Sequence, residues 1–204
     1  MKIAKNKTAV IVLDIQNDFC DSEGAFAKYL KWNPQPIQKM VPRLAKFIDQ
    51  ARESGNLIIF SQMVNSATES PLNLREKLAS GAERGAGKWP FGLIRGSWGW
   101  DFYLLKPHKE DIVLEKKYYD LFSNPKLKEI LYKNRVERIV VTGLYTEICV
   151  FGTAQRAFTE GFQILVPSDL VASVAEREDL CKSALKIMDG YFADVVTSTK
   201  IFLE

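Results

Sequence analysis

Apolar residues along this chain follow two patterns that take turns. Residues 8–15 (TAVIVLDI) form a near-continuous apolar run rich in β-branched side chains, the pattern of a strand buried on both faces. Residues 35–55 (QPIQKMVPRLAKFIDQARESG) instead space Ile37, Val41, Leu44, Phe47 and Ile48 along one side of a helix that Gly55 stops. The alternation then repeats. Strands are expected over residues 56–62, 111–117, 138–144, 162–169 and 193–199, and helices over 124–135, 146–160 and 176–190, the first of these opened by an Asn-Pro cap. Repeated β-α-β units imply an α/β fold: a three-layer α/β/α, Rossmann-like arrangement with a mostly parallel six-stranded sheet and helices on both faces. At 204 residues the chain is long enough for one sizeable domain with a well-buried core and too short for two comfortable ones.

Residues 63–110 break the alternation. They are rich in Gly, Trp and Phe and show no clear period, and long irregular segments in α/β domains are usually functional. The segment reads as a lid or pocket wall, with Trp89, Trp98 and Trp100 alternatively capping the sheet edge or forming a subunit interface. Its GAERGAGK stretch imitates a phosphate-binding loop, but Ala82 stands where a glycine is needed and Trp89 where a Ser or Thr is needed. No G-x-G-x-x-G follows the first strand, so dinucleotide binding is unsupported.

Charge and composition narrow the function classes. The net charge is +3 with basic residues scattered, which leaves no footprint for nucleic acid or a membrane surface. No apolar run reaches ~18 residues and no signal-peptide pattern opens the chain. Cys20, Cys149 and Cys181 are an odd, widely spaced set, the usage expected of reduced thiols in a cytoplasmic protein. The single histidine, His108, sits in the polar stretch KPHKED and reads as a solvated loop residue. Histidine-dependent triads and zinc sites are therefore disfavoured.

In an open parallel sheet, ligands bind outside the carboxyl ends of the strands. Asp14 follows the first strand, Lys116 or Lys117 ends the third, and Gly143 turns the fourth toward Cys149. An acid, an amine and a thiol thus converge on one rim. A free cysteine is most often a buried packing residue, but Cys149 falls in the first turn of a helix, where unpaired N–H groups and the helix dipole lower a thiol pKa. Alternation puts Lys116 and Lys117 on opposite faces, so at most one enters the site. Spacing alone does not choose between them.

Three segments carry a resemblance. AVIVLDIQNDF contains D-x-Q-x-x-F, DIVLEKKYYDLF contains D-x-V-x-x-K with Tyr119 and Phe122 at fixed offsets, and VVTGLYTEICVFGTAQRAF contains V-x-G-x-x-T-x-x-C-V-x-x-T-x-x-A. In this order they resemble the isochorismatase-like cysteine hydrolases, which include nicotinamidase, N-carbamoylsarcosine amidase and ureidoacrylate amidohydrolase, over nearly the whole of residues 1–204. The resemblance selects Lys116. It implies that Cys149 attacks a carbonyl carbon to form a thioester, Asp14 moves the proton, and Lys116 holds the two in place. It further implies that backbone N–H groups of Tyr145 and Cys149 form an oxyanion hole, with the Leu144–Tyr145 peptide in cis. Phe19, Trp98, Tyr119 and Tyr145 are candidates to line the pocket, and Arg84 or Arg95 to hold a substrate carboxylate.

Departures from the family shape the substrate expectation. Nicotinamidases carry an aspartate-and-histidine metal site after the second strand, and SQMVNSATESPLNL has no histidine. Vinyl-ether-cleaving isochorismatases do not use the cysteine. The reading that follows is a metal-independent amidohydrolase, without cofactor, acting on a small linear amide, carbamoyl or ureido compound. A vinyl-ether hydrolase and a non-catalytic family member are the alternatives. Family members are commonly dimers or tetramers, so a homodimer or homotetramer is expected.

Overall fold

All six expected strands form, and they lie side by side. The computed structural model describes residues 2–3, 7–80 and 92–203. Strands β2 (Thr8–Leu13), β3 (Leu57–Met63), β4 (Ile112–Lys116), β5 (Arg138–Leu144), β6 (Gln163–Pro167) and β8 (Asp194–Val196) run parallel in the spatial order β4-β3-β2-β5-β6-β8. The sheet holds seven strands where six were expected. The seventh, β7 (Val171–Ala172), runs beside the end of β5 through Gly143↔Val171 and Leu144↔Ala172. Two residues are too few to leave a period in the sequence. A separate pair joins β1 (Lys2–Ile3) to β9 (Phe202–Leu203).

Alternation along the central strands builds the three layers. Val10 and Val12 of β2, Phe60 and Val140 pack with Ile37, Met40, Leu44 and Ile48 of α3 (Gln35–Glu53). Ala9, Ile11 and Leu13 face the other way. They meet Leu127 and Leu131 of α5 (Pro125–Lys133), Ala154 and Ala157 of α6 (Phe151–Thr159), and Met188 of α7 (Glu178–Tyr191). Strand β2 is fully buried and β5 nearly so, which is why they read as unbroken apolar runs. Truncating a core side chain such as Leu44 to alanine costs about 2–5 kcal/mol.

Helix boundaries follow local chemistry. Asn124 caps α5 by accepting from Lys126 N–H at 3.0 Å, and Pro125 takes the first helical position. Three helices were not foreseen: α1 (Asn17–Cys20) and α2 (Ala25–Leu30) are shorter than two turns, and α4 (Leu72–Ser80) lies in the segment that lacked a period. Trp89 and Arg84 lie outside the described residues.

The strand order decides where a site can form. From β2 the chain crosses over the α3 face to reach β3, whereas from β5 it crosses the α6 face to reach β6. Neighbouring strands thus depart to opposite sides, leaving a crevice at their carboxyl ends. Leu13 pairs with Gly143 at this point. Gly143 has φ +99°, and a Cβ there would overlap the Leu13 carbonyl. Only glycine lets β5 come this close to β2.

Candidate active site

Asp14 is the first residue past β2, and it adopts φ +57°, a left-handed conformation that costs a non-glycine residue about 1–2 kcal/mol. The turn sends its carboxylate back beneath the crevice, where it is 1% exposed. A carboxylate buried this far needs partners, and Ser61, Lys116 and the Cys149 thiol supply them. Ser61 of β3 donates its hydroxyl to Oδ1 at 2.6 Å and accepts from the Asp14 N–H at 3.1 Å. Lys116, the last residue of β4, places Nζ 2.8 Å from Oδ2.

The Lys116 ammonium is held from several sides. It donates to the carbonyls of Tyr119 at 2.8 Å and Tyr118 at 3.2 Å, and lies 3.3 Å from Cys149 Sγ. Burial pulls its pKa down, but the attraction of Asp14 and then of Cys149 outweighs this and leaves it above the ordinary lysine value. The group stays charged. Lys117, next along the chain, points away and pairs with Glu69 at 3.0 Å on the surface.

Cys149 sits in a single π-helical turn, Thr146–Val150, that opens α6. The N–H groups of Ile148 and Val150, which flank it, both donate to the Tyr145 carbonyl at 3.0 and 3.1 Å. Here the expectation of a thiol lowered by the helix start is overturned. Burial pushes the Cys149 thiol up to about 12; Lys116 opposes this, while Asp14 adds to it by its charge and by a hydrogen bond to the thiol. Desolvation outweighs the helix terminus because the thiol is only 5% exposed. Cys149 is therefore a neutral thiol beside an ion pair.

Gln16 and the first two residues of α1, Asn17 and Asp18, fasten the segment that lies beside the site. Gln16 donates to the carbonyls of Met63 at 3.0 Å and Trp100 at 2.9 Å and accepts from Met63 N–H at 2.8 Å. Asn17 donates to the Trp98 carbonyl at 2.7 Å, and Asp18 accepts from the N–H groups of Ala25 at 2.9 Å and Leu93 at 2.6 Å. Three consecutive polar side chains thus fasten residues 93–100 over α1. Of these fastened residues Leu93 lines a cavity of about 220 Å³ that reaches Cys149.

Phe19, Tyr119 and Tyr145 line this cavity as expected pocket residues, together with Cys149. Trp98 does not. Its ring is 53% exposed, and α1 uses only its backbone carbonyl. Arg95 also lies elsewhere: it bonds Glu115 at 2.7 and 3.0 Å and Glu69 at 3.4 Å outside the cavity. Phe26 and Trp32, which also line the cavity, had no signal in the sequence. Phe19, Phe26, Trp32 and Tyr145 close an aromatic ring of contacts, with centroids 4.6, 5.7, 5.8 and 5.1 Å apart in turn. Arg177, just before α7, is a further unforeseen lining residue, as are Lys77 and Leu78 of α4 and Ile148. Ser61 could have been found, because it is a polar residue near the end of an otherwise apolar strand. His108 is exposed in its loop, as expected. All three cysteines are free. Among the described residues no cluster of three or more His, Cys, Asp or Glu side chains could hold a metal ion, and no helix is long and apolar enough to cross a membrane.

The Isochorismatase domain model matches residues 8–200. The chain belongs to the isochorismatase family. It is 27% identical to the ureidoacrylate amidohydrolase RutB of Enterobacter sp. over 203 residues, 95% of this chain and 87% of that protein. Two solved structures share the fold. An isochorismatase-like hydrolase from Alkaliphilus metalliredigens superposes with a TM-score of 0.77 at 23% identity over 94% of each chain. The N-carbamoylsarcosine amidase from Thermoplasma acidophilum gives 0.76 at 24% identity, covering 96% of this chain and 98% of its own. This is a hydrolase of the isochorismatase family with amidohydrolase relatives, built on the expected α/β architecture.

Proposed function

We propose that this isochorismatase-family protein is a cysteine amidohydrolase that cleaves the C–N bond of a small linear amide, carbamoyl or ureido compound. The observation that carries the reading is the buried set of Cys149 Sγ, Lys116 Nζ and the Asp14 carboxylate, linked by contacts of 3.3 and 2.8 Å beneath a cavity that reaches the thiol. A nucleophile, a base and a fixed cation within reach of one another are what acyl transfer through a covalent intermediate needs.

In this reading Asp14 takes the Cys149 proton as Sγ bonds to the substrate carbonyl carbon, and the carbonyl electron pair moves onto oxygen. The N–H groups of Tyr145 and Cys149 receive that oxyanion. The pair then returns, the C–N bond breaks, and the amine leaves with the proton held by Asp14. Asp14 next takes a proton from water, whose oxygen attacks the thioester. The C–S bond breaks and the thiolate is reprotonated, releasing acid and free enzyme. Proton transfer accompanies attack because a thiol at about 12 is neutral at working pH. Lys116 supports each charged state without moving a proton, since its neighbours keep it an ammonium.

Ammonia release from a panel of small amides, ureas and carbamoyl acids tests the reading. Turnover that Cys149→Ala abolishes, by roughly 10³-fold or more, supports it. Undiminished ammonia release by that variant contradicts it, whereas no release from any of the panel, with a vinyl ether cleaved by both the unsubstituted protein and Cys149→Ala, favours vinyl-ether chemistry using Asp14 as proton donor.

A further inference from the structure

Leu93 holds a conformation that leucine avoids. Its φ is +60°, in the left-handed region where a Cβ crowds the following carbonyl oxygen. A glycine would adopt it without cost, yet this position carries a branched side chain that is 1% exposed and lines the cavity. Such a residue persists only where its surroundings over-determine it. Two contacts do so. The Leu93 N–H donates to Asp18 Oδ2 at 2.6 Å, and the Leu93 carbonyl accepts from the N–H of Asn65 at 3.0 Å.

Asp18 is a buried carboxylate of an uncommon kind. It is 6% exposed, and among the described residues no cationic side chain pairs with it. Main-chain donors take that place: Oδ1 accepts from the N–H of Ala25 at 2.9 Å while Oδ2 accepts from Leu93. Only a carboxylate offers acceptors on both oxygens. The chain closes tightly around it. A Cβ at Gly99 would overlap the carboxylate, and one at Gly92 would come within 2.9 Å of Oδ2. Each point of the clamp adjoins a lining side chain, since Phe19 follows Asp18, Phe26 follows Ala25, and Leu93 is itself in the wall. One carboxylate thus sets three segments of the cavity against one another, and no step of the acyl transfer uses it.

We propose that Leu93 is a steric gauge that limits the bulk of what reaches Cys149, and that Asp18 is the positioning residue that holds the gauge in place. Asp18 touches no reacting atom and acts through the Leu93 N–H. The gauge rests on the amidohydrolase reading only for the bond that is cut; its shape comes from the cavity.

The test reads access to the thiol in two ways. Ammonia release is measured for a primary amide that the protein turns over and for analogues with successive methyl groups on the carbon beside the carbonyl. Alkylation of Cys149 by iodoacetamide and by its N-tert-butyl derivative is followed by peptide mass, which needs no turnover. One methyl group too many in a closed pocket costs roughly 10-fold or more in kcat/KM, so the series should show a step, and the bulky reagent should react correspondingly slower. Leu93→Ala removes three carbons and should raise kcat/KM for the first excluded analogue roughly 10-fold while narrowing the reagent ratio. Leu93→Phe should move the step the other way. Asp18→Asn keeps the shape but turns an amide N–H toward one of the two donors. It should blur the step mainly through KM, with kcat for the smallest amide held within about 3-fold. Gly99→Ala, which crowds the same carboxylate without changing its charge, should act alike. In Leu93→Gly, which has no side chain to hold, neither change should alter the step further. A step and a reagent ratio that Leu93→Ala and Leu93→Phe both leave in place overturn the gauge. An Asp18→Asn variant that lowers kcat equally for every analogue, or that keeps its full effect in Leu93→Gly, removes Asp18 as its support. Where Asp18→Asn fails to fold, Gly99→Ala in the same two backgrounds decides that point. Ammonia release with an unmoved reagent ratio keeps the amide chemistry and removes the gauge, whereas a moved ratio without ammonia from any amide does the opposite.

Discussion

Lys116 and Lys117 are adjacent residues with the same side chain, and they occupy opposite extremes of protein electrostatics. Lys116 is fully buried against Asp14 and Cys149, whereas Lys117 is 38% exposed and pairs with Glu69 in a surface network that includes Arg95 and Glu115. The strand's alternation is what divides them. Inside, each charge has been stripped of water, so removing one partner strands the other. Outside, water and salt replace whatever is lost. Two clusters of similar composition thus differ in how far the fold depends on them.

The sharpest way to break this comparison is to neutralise each lysine in turn. Lys116→Met leaves the buried Asp14 carboxylate with neutral donors alone, the Ser61 hydroxyl and the Cys149 thiol, and should destabilise the protein by about 3–5 kcal/mol, with amidase activity lost by roughly 10²-fold or more. Lys117→Met should change stability by no more than about 0.5 kcal/mol and leave kcat unaltered. Urea unfolding and ammonia release read both. Equal effects from the two would remove the distinction.

Ser61 sharpens the interior side. Ser61→Ala takes away the donor on Asp14 Oδ1 and should cost about 1–3 kcal/mol while lowering kcat more than it raises KM. A change in KM alone would place Ser61 outside the proton-transfer machinery.

A pH effect of smaller size follows from the buried thiols. Cys149 and Cys20 are both held above their ordinary values, chiefly by burial, as is the Tyr145 phenol. Each folded group keeps its proton beyond the pH at which the unfolded chain releases it. Their contribution is complete below the ordinary thiol range near about 8.5 and is lost as pH rises. Stability should fall from pH ~9 toward 12, with each group adding a slope of up to about 1.4 kcal/mol per pH unit. In Cys149→Ala the fall should be shallower. An unchanged slope would mean that the thiol is not held protonated by burial.

The smallest expected effect belongs to the surface. Arg95→Ala should shift the unfolding free energy by less than about 0.5 kcal/mol, and 0.5 M salt should erase the difference.

How far the sequence reveals the molecule depends on how locally each feature is encoded. Strands β2 and β5 are legible because burial on both faces writes an unbroken apolar run, and the strand-end rule then points to Asp14 and Cys149 without further information. The choice of Lys116 over Lys117 comes from a family pattern, since alternation alone treats the two alike. Ser61 is legible in principle, as a hydroxyl near the end of an apolar strand. Arg177 and Trp32 are not legible, because they reach the cavity only through the packing of α7 and α2 around it. Trp98 shows the reverse error: an aromatic residue in an irregular segment looks like a pocket wall, yet the fold uses its carbonyl and leaves its ring in water. The thiol direction fails for a related reason, since a helix start is visible in sequence and the burial that outweighs it is not.

The central claim, that Cys149 forms a covalent acyl intermediate with Asp14 and Lys116 serving it, is tested most directly by mass. Protein mixed with a turned-over amide and quenched in acid within milliseconds should carry an adduct of the acyl group on the peptide containing Cys149. The adduct should be cleaved by hydroxylamine, as a thioester is, and be absent from Cys149→Ala. Steady turnover with no adduct at any quench time, and with activity surviving the loss of the thiol, would contradict the account.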